Sequence, residues 1–239
     1  MKPPGLRHTP SGIDQLDVSA GRAWPERDGF PDAREELAIQ EAGFSLVAGL
    51  DEVGRGALAG PLVAGAVILP DLRDGIPPEL LGVRDSKLLT PQQRADLYGV
   101  VLGCARAVGV GSVSPEELDL IGLTKAGELA MVRAVRALPT RADHLLIDAF
   151  WLKSCPLPQR PVIRGDLLCI SVAAASIVAK VVRDRWMIQL DARYPEYGFA
   201  SHKGYATPSH LEALERFGPS RLHRLTWAPM ARQAEVATA

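Results

Sequence analysis

Four acidic side chains lie where apolar segments of the chain meet turns. Asp51 and Glu52 follow the apolar run of residues 44–50, Asp148 follows three aliphatic residues, and Asp166 precedes a long apolar segment. Acidic residues are poor strand formers and are rarely buried unless they are paired or bind a metal. A set of oxygen ligands suits Mg²⁺ or Mn²⁺ rather than zinc, which prefers His and Cys. The pattern therefore indicates a site for hard divalent cations.

Such a site would suit the hydrolysis of a phosphodiester. Two divalent ions about 3.5–4 Å apart can activate a water molecule and stabilise the leaving oxygen of an in-line phosphoryl displacement. The alternative for each carboxylate is an ordinary turn residue or helix cap, because Asp is common in both places.

A Gly-Arg-Gly turn directly follows the first acidic pair. Gly54 and Gly56 permit backbone conformations that bring N–H groups close to a phosphate or a sugar, and Arg55 adds a cation between them. A glycine-rich turn by itself has low specificity. Its position beside the carboxylates nevertheless favours a polyanionic ligand over an ordinary turn.

The elements that must position these residues follow from the hydrophobic pattern. Capping-box sequences begin helices at Thr90 and Ser114, and apolar spacing indicates a helix over residues 124–138. Five segments rich in Val, Ile and Leu are predicted strands, separated by turns: residues 44–50, 61–69, 106–113, 144–150 and 161–164. This order of elements predicts an α/β fold with a mixed sheet.

Both ends of the chain differ from this pattern. Residues 167–194 are predicted to form one long, mostly buried helix, and Thr207 opens a further helix that ends at the Phe-Gly-Pro sequence of residues 217–219. Residues 1–31 are rich in Pro, Gly and charge without an apolar period, which predicts a flexible leader. A short helix is expected over residues 32–41.

Composition excludes several classes of protein. The chain has 239 residues and a net charge of −1, but the charge is unevenly distributed. Residues 151–239 hold 12 Lys and Arg against 7 Asp and Glu, whereas residues 1–150 hold 15 against 21. This distribution fits an acidic pocket beside a basic surface, although ordinary scatter explains it equally well. No apolar run is long enough to span a membrane.

The expected location is the cytoplasm. The N-terminus lacks the apolar region of a secretory signal. Cys104, Cys155 and Cys169 form no CxxC pair, so we expect reduced thiols that pack as small hydrophobic residues.

The string DEVGRGALAGP at residues 51–61 resembles the signature of ribonuclease HII, the type 2 ribonuclease H family. Further blocks follow in the family's order: DSKL at 85–88, LID at 146–148, GD at 165–166, AASIVAKVVRD at 174–184, HKGY at 202–205, GPS at 218–220 and HR at 223–224. The match covers about residues 45–230. It implies a ribonuclease H-like α/β fold, with a mixed five-stranded sheet flanked by helices and a small helical C-terminal subdomain.

The resemblance implies that Asp51, Glu52, Asp148 and Asp166 are catalytic carboxylates that bind two divalent ions, Mn²⁺ or Mg²⁺. The implied activity is endonucleolytic cleavage of RNA in RNA–DNA hybrids and of single ribonucleotides embedded in duplex DNA. The domain limits expected from this assignment are a flexible leader over 1–43, a catalytic core over 44–195 and a helical substrate-binding segment over 196–239.

The same resemblance assigns contacts with nucleic acid. Gly54, Arg55 and Gly56 would grip the ribonucleotide through its 2′-hydroxyl and the adjoining phosphates. Tyr205 would stack on the sugar of the following deoxynucleotide. Because the 2′-hydroxyl is what separates RNA from DNA at one position, such contacts can test the sugar without reading bases. The residues that would meet phosphates are Ser86, Lys87 and Lys203.

Three positions depart from the commoner family pattern. Ala149 follows Asp148 where Gly is usual, Arg164 replaces a frequent Lys, and Gly122 replaces a frequent Asn. We expect these changes to leave the metal site intact.

Other polar and aromatic residues have ordinary structural interpretations. Lys180 and Asp184 are spaced as an i,i+4 helix pair. For His202 and His223, surface or capping roles are at least as plausible as contact with phosphate. Three tryptophans are expected in core or interface packing rather than base stacking: Trp151, Trp186 and Trp227.

Three rival functions remain open. The sister ribonuclease HIII family carries an extra N-terminal domain, which the short polar leader is unsuited to supply. A DNA-processing nuclease or integrase could share the sheet but does not account for the Gly-Arg-Gly turn. A non-catalytic hybrid-binding module would tolerate Asp148→Asn. We also expect a monomer, and residues 231–239 lack the aromatic-ended peptide that docks on a sliding clamp.

Overall fold

The fold is built on one mixed five-stranded sheet, as the sequence predicts. The computed structural model describes residues 29–230. The strands β1–β5 lie in the order β3-β2-β1-β4-β5, with β1 antiparallel to β2, β2 antiparallel to β3, and β1, β4 and β5 mutually parallel. Their bounds are Val47–Val53, Leu62–Ile68, Ala107–Val113, His144–Asp148 and Gln159–Val162.

Eight α-helices lie in the described part of the chain, numbered α1–α8. Their bounds are Arg34–Glu41, Pro91–Cys104, Pro115–Ile121, Leu123–Arg136, Gly165–Leu168, Ile170–Asp191, Phe199–His202 and Pro208–Phe217. Short 3-10 helices cover Pro78–Gly82, Ser86–Leu88 and Pro195–Tyr197. The capping boxes predicted at Thr90 and Ser114 are both present.

The sheet is packed between two long helices. One face lies against α4 and the other against α6, and each interface forms an apolar core. Glycines allow both helices to approach the backbone closely. A Cβ at Gly111 would overlap the carbonyl oxygen of Ala130 in α4, and one at Gly65 would overlap that of Ala175 in α6. The glycines in the strands therefore set the distance between the sheet and these helices.

The strand that carries the first acidic pair is displaced from its predicted position. The sequence places a strand over 44–50, ending before the carboxylates, whereas β1 is Val47–Val53 and includes both Asp51 and Glu52. Its pairing with β2 explains the difference, because the antiparallel register continues to Val53 opposite Val63. Predicted strands 144–150 and 161–164 are likewise offset from β4 and β5.

The long helix predicted over 167–194 is interrupted. The short helix α5 ends at Leu168, Cys169 is extended, and α6 begins at Ile170 and ends at Asp191. The break has a tertiary cause. Asp32 N–H donates to the Leu168 carbonyl, and Ile170 N–H donates to the Asp32 carbonyl, which draws Cys169 into a parallel β-bridge.

Part of the predicted leader is packed into this structure. The expected short helix is present as α1, and its Leu37 and Ile39 side chains are buried. Residues 29–43 thus pack on the core instead of forming a flexible arm, and the flexibility expected for residues 1–28 lies outside the described residues. The remaining domain limits stay predictions.

The tryptophan and cysteine predictions hold only in part. Trp227 packs against two apolar clusters, but Trp151 is about half exposed (49%), so it is not a core residue. All three cysteines are free thiols, and Cys169 alone is fully buried. In residues 29–230, no helix is long and apolar enough to cross a membrane.

Candidate active site

The sheet brings three of the four predicted carboxylates together at one edge. Asp51 and Glu52 lie in β1, and Asp148 ends the neighbouring parallel strand, where Ile147 pairs with Leu50. Asp166 is the second residue of α5, and the two segments are tied by the Gly165 N–H, which donates to Asp148 Oδ1 over 2.8 Å. We refer to Asp51, Glu52, Asp148 and Asp166 as the acidic cluster.

The acidic cluster concentrates negative charge in a poorly solvated place. Asp51 and Asp166 are buried. Burial raises the pKa of Asp51 well above its usual range, and the charges of Glu52 and Asp148 add to the rise. Burial also raises the pKa of Glu52, and burial and the Asp166 charge raise that of Asp148. Burial is the largest cause of all three shifts, and the repulsion between neighbouring carboxylates adds to it.

Two cations approach the cluster from its rim. Lys87 Nζ lies 3.0 Å from Asp166 Oδ2, and Arg55 Nη1 lies 3.4 Å from Glu52 Oε1. The Lys87 side chain is 73% exposed, so water screens its charge and it can move away. The ion pair therefore compensates Asp166 without occupying the middle of the cluster.

The donor set fits a divalent cation. Glu52 Oε2 is buried and has no hydrogen-bond partner, which is costly for a carboxylate oxygen unless a cation binds it. Among residues 29–230, no three His, Cys, Asp or Glu side chains already stand in an arrangement that would hold a metal ion. Metal binding would therefore require small side-chain movements, above all release of Asp166 by Lys87.

The Gly-Arg-Gly turn and Tyr205 line the same cleft as three members of the acidic cluster, and Asp166 lies outside its lining. The cleft has a volume of about 450 Å³, and its walls include Asp51, Glu52 and Asp148 on one side and Gly54, Arg55, Gly56, Lys87, Phe150 and Tyr205 around them. Gly54 has a φ of +92°, and a Cβ there would overlap the Arg183 side chain. Only glycine fits this position.

Comparisons with known proteins match this arrangement. The family model for ribonuclease HII matches residues 48–230. The chain belongs to the ribonuclease HII family. A ribonuclease HII from Roseiflexus castenholzii is 51% identical over 205 residues, covering 85% of this chain and 91% of the relative.

Solved structures agree with the family assignment. The ribonuclease H2 from Pyrococcus horikoshii OT3 has a TM-score of 0.66 and 28% identity, covering 80% of this chain and 97% of that one. The Mn²⁺ complex of Bst-RNase HIII has a TM-score of 0.64 and 23% identity, covering 84% and 73%, which shows a shared fold. As a member of the ribonuclease HII family, the chain is a ribonuclease H, an endonuclease that acts on the RNA of RNA–DNA hybrids.

Two residues that the family resemblance assigns to phosphate point elsewhere. Ser86 is buried, and its hydroxyl lies 2.9 Å from that of Ser176 in α6. Lys203 turns back on α7, where its Nζ donates to the backbone carbonyls of Ala200 and Ser201. Neither side chain lines the cleft, so a direct phosphate contact would require each to leave its present partner.

The three positions that depart from the family pattern all have positive φ angles. Ala149 and Arg164 have positive φ, 66° and 61°, and Gly122 has a φ of 80°. Arg164 is left-handed, with a ψ of 39°, whereas Gly122 has a ψ of 157°, which places it in a region that is essentially restricted to glycine. Ala149 is strained where glycine would be relaxed, yet Asp148 before it still faces the cleft.

Two buried arginines, which the sequence analysis left unassigned, hold the Gly-Arg-Gly turn from behind. Arg183 in α6 donates to the carbonyls of Ala59 and Pro61. Arg224 donates to the carbonyls of Arg55 over 2.7 Å, Gly54 over 2.5 Å and Gly60 over 3.3 Å. The only signal for Arg183 was a cation on the otherwise apolar buried face of a helix.

Burial disfavours the charged form of these arginines. It lowers the pKa of both guanidinium groups, that of Arg224 to about 10, and the neighbouring Arg183 contributes to the latter shift. Arg224 stays charged at neutral pH, because a pKa of about 10 lies well above pH 7. Because Arg224 binds the carbonyl oxygens of Gly54 and Arg55, the N–H groups of the same peptides, those of Arg55 and Gly56, point away from it.

The predicted ion pair in α6 is present, but the two histidines predicted at the surface are buried. Lys180 Nζ lies 2.8 Å from Asp184 Oδ1, as predicted. His202 and His223 are buried rather than on the surface. They pack with His210 and Phe199, so the surface alternative was wrong, while each ring accepts a nearby backbone N–H, from Gly204 and Ser220 respectively.

Proposed function

We propose that the chain is a divalent-metal-dependent endonuclease that cuts on the 5′ side of a ribonucleotide, in hybrids and at single ribonucleotides in duplex DNA. The products would carry 3′-hydroxyl and 5′-phosphate ends, without a covalent enzyme intermediate. The observation that carries this proposal is one cleft lined by three carboxylates with raised pKa values, Asp51, Glu52 and Asp148, together with the Gly-Arg-Gly turn and Tyr205.

The acidic cluster would hold two ions, Mg²⁺ or Mn²⁺. Asp51 and Asp148 face each other across neighbouring strands, and Glu52 contributes the partnerless Oε2. When bound, the ions supply an activated water and stabilise the leaving oxygen. Asp166 would join once Lys87 turns toward a substrate phosphate. The solved Bst-RNase HIII structure is a complex with Mn²⁺, which supports a hard divalent ion.

The Gly-Arg-Gly turn would recognise the ribose. Arg224 fixes the Gly54 and Arg55 carbonyls on the inner side, so the backbone N–H groups of the same peptides and the Arg55 side chain remain for the 2′-hydroxyl and the phosphates. Tyr205 would pack on the next sugar, where the rings of a deoxynucleotide and a flat aromatic fit without an intervening hydroxyl. Lys180 and Arg183 lie 5.9 and 5.3 Å from the Tyr205 ring centre and support its orientation.

The proposed biological role is removal of ribonucleotides and RNA primers from DNA in the cytoplasm, by a monomer. The basis is the chemistry of the cleft and the family assignment. The expected absence of a sliding-clamp peptide concerns residues 231–239, which lie outside the described residues.

The decisive experiment uses a duplex with one ribonucleotide, incubated with Mg²⁺ or Mn²⁺, with both product ends mapped. The intact protein should cut once, 5′ to the ribonucleotide, and Asp51→Asn should reduce cleavage by about 1000-fold or more because several kcal/mol of charge stabilisation are lost. The exposed Asp74→Asn variant is a matched control and should cut normally.

The rival hybrid-binding module makes the opposite prediction. It would bind hybrids without metal and would be indifferent to Asp148→Asn, whereas our proposal expects binding without turnover in that variant. Absence of cutting by the intact protein with either metal, or full activity of Asp51→Asn, would exclude the proposed mechanism.

A further inference from the structure

Three buried histidines form a connected group behind the cleft. His210 lies in α8, His202 ends α7, and His223 lies in the segment after α8; none of the three is more than 8% exposed. The His202 and His210 rings are stacked, with centroids 4.3 Å apart. His210 Nε2 lies 3.0 Å from His223 Nε2. Two imidazoles in direct contact can bond only if one donates and the other accepts.

The remaining partners fix which ring donates. His210 Nδ1 faces the Tyr205 carbonyl at 2.9 Å, so it must carry a proton and its Nε2 must be the acceptor. His223 Nδ1 accepts the Ser220 N–H at 3.0 Å, so its Nε2 must carry the proton. His223 therefore donates to His210, which donates to the Tyr205 carbonyl. Burial lowers the pKa of both rings, that of His223 to about 4, so both are neutral at pH 7.

The covalent backbone connects this hydrogen-bonded pair to the other side of the cleft. Arg224, the residue next to His223, donates to the carbonyls of Gly54 and Arg55. Backbone bonds join the same elements directly, because Ala59 forms an antiparallel bridge with His223 and the Leu58 and Ala59 N–H groups donate to the Gly204 carbonyl. Tyr205 and the Gly-Arg-Gly turn are thus joined by two imidazoles and one guanidinium, all buried.

We propose that His210 and His223 are positioning residues that fix the distance between Tyr205 and the Gly-Arg-Gly turn, and thereby the enzyme's preference for a ribonucleotide followed by a deoxynucleotide. The inference rests on the proposed function, in which the turn holds the ribose and Tyr205 packs on the next sugar. Neither histidine lines the cleft, so they act through the two elements that they join. A small displacement of such elements is sufficient to reduce turnover strongly.

Asparagine substitutions can break the link at one bond only. An Asn side chain places its polar atoms near the position of the imidazole Nδ1 and nothing at Nε2. His210→Asn therefore keeps a donor for the Tyr205 carbonyl, and His223→Asn keeps an acceptor for the Ser220 N–H, but each loses the bond between the rings. Phe199→Leu is the matched control, because Phe199 is fully buried against the same rings and makes no bond in the link.

The readout is the ratio of kcat/KM for a duplex with one embedded ribonucleotide to kcat/KM for a uniform RNA strand on DNA. Each single Asn variant should lower this ratio about tenfold, chiefly through kcat on the embedded substrate. The double variant should lower it no further, because both substitutions remove the same bond. Phe199→Leu should lower the melting temperature but leave the ratio unchanged at temperatures where the protein is folded.

The unmodified enzyme provides a second measurement that does not depend on the folding of any variant. Nitrogen-15 spectra of the histidine rings at pH 7 should show His210 as the Nδ1–H tautomer and His223 as the Nε2–H tautomer. A charged ring at either position, or the same tautomer in both, would overturn the inference.

The outcomes separate this inference from the proposed function. If the intact enzyme fails to cut the embedded ribonucleotide, the proposed function is wrong. If it cuts and both Asn variants keep the wild-type ratio, the function stands and the positioning role is wrong. A ratio that falls equally in Phe199→Leu would show that general packing, not the link between the rings, controls the preference.

Discussion

The acidic cluster and the residues behind the Gly-Arg-Gly turn are opposite kinds of buried polar structure. In the cluster, neighbouring carboxylates raise one another's pKa, and Glu52 Oε2 has no partner. Behind the turn, the guanidinium of Arg224 binds three carbonyls, and the imidazoles of His210 and His223 bind each other. The first region presents unpaired negative charge to a ligand, whereas in the second most polar atoms are paired within the protein, with Arg183 Nη1 and Arg224 Nε as exceptions.

This difference corresponds to two tasks. A site that binds cations must present unpaired negative charge, so its electrostatic repulsion in the free protein is the basis of its affinity. A site that distinguishes sugars must hold its shape before the substrate arrives, because a loose loop would accept either sugar. The comparison therefore predicts opposite effects of substitution on activity and stability in the two regions.

The largest expected effect is on the acidic cluster. Asp51→Asn should abolish metal-dependent cleavage while raising the melting temperature of the metal-free protein, because it removes a buried charge beside Glu52 and Asp148. Thermal melts with and without Mn²⁺, beside the cleavage assay, test both parts. A lower melting temperature in the metal-free variant would contradict the view that the cluster is electrostatically strained.

Arg224→Met should have the opposite effect on stability and destabilise the protein. The substitution leaves the carbonyls of Gly54, Arg55 and Gly60 without their donor, and about 1 kcal/mol for each lost bond predicts a loss of about 3 kcal/mol in the free energy of unfolding. Arg55→Met is the control on the exposed side of the same turn. It should change stability by less than about 1 kcal/mol but weaken binding of the hybrid. Urea titrations and hybrid-binding assays distinguish the two; equal stability losses would contradict the comparison.

Stability should depend on pH with opposite signs in the two regions. The pKa of His223 is lowered to about 4 in the folded protein, against about 6.5 in the unfolded chain. Between these values the unfolded chain binds the extra proton, so stability falls as pH falls from about 6.5 to 4. The pKa of Asp51 is raised. Its contribution is therefore lost as pH rises above about 4, the pKa of an unfolded Asp.

Melting curves in EDTA across this pH range test both signs. His223→Asn should reduce the loss of stability between about pH 6.5 and 4, and Asp51→Asn should reduce the loss of stability above about pH 4. An unchanged loss of stability at acidic pH in His223→Asn would mean that another group, such as His144, whose pKa burial also lowers to about 4, controls it.

The smallest effect concerns the residue after Asp148. Ala149 has a φ of 66°, where a Cβ costs about 1 kcal/mol relative to glycine. Ala149→Gly should therefore stabilise the protein by up to about 1 kcal/mol and leave cleavage unchanged, since the side chain makes no hydrogen bond. Loss of activity in this variant would indicate that the strain helps to orient Asp148.

The sequence predicted the sheet, most helices and the acidic cluster because those features are local or carried by specific motifs. Strand alternation and capping boxes act over a few residues, and the family blocks contain all four carboxylates. The roles of Arg183, Arg224 and His210 were not predictable, since each depends on a partner far along the chain. Arg224 and Gly54, for example, are 170 residues apart. The break at Cys169 was missed for the same reason, because its cause is Asp32.

The bridge between Asp32 and Cys169 has a practical consequence for anyone who shortens this enzyme. The matched family region begins at residue 48, so residues 29–43 lie outside the family match and invite deletion. The deleted stretch would include the peptide that pins the turn between α5 and α6, and with it the backbone that carries Asp166. A version that begins at residue 44 would keep all four carboxylates of the acidic cluster and still lose the backbone anchor of Asp166.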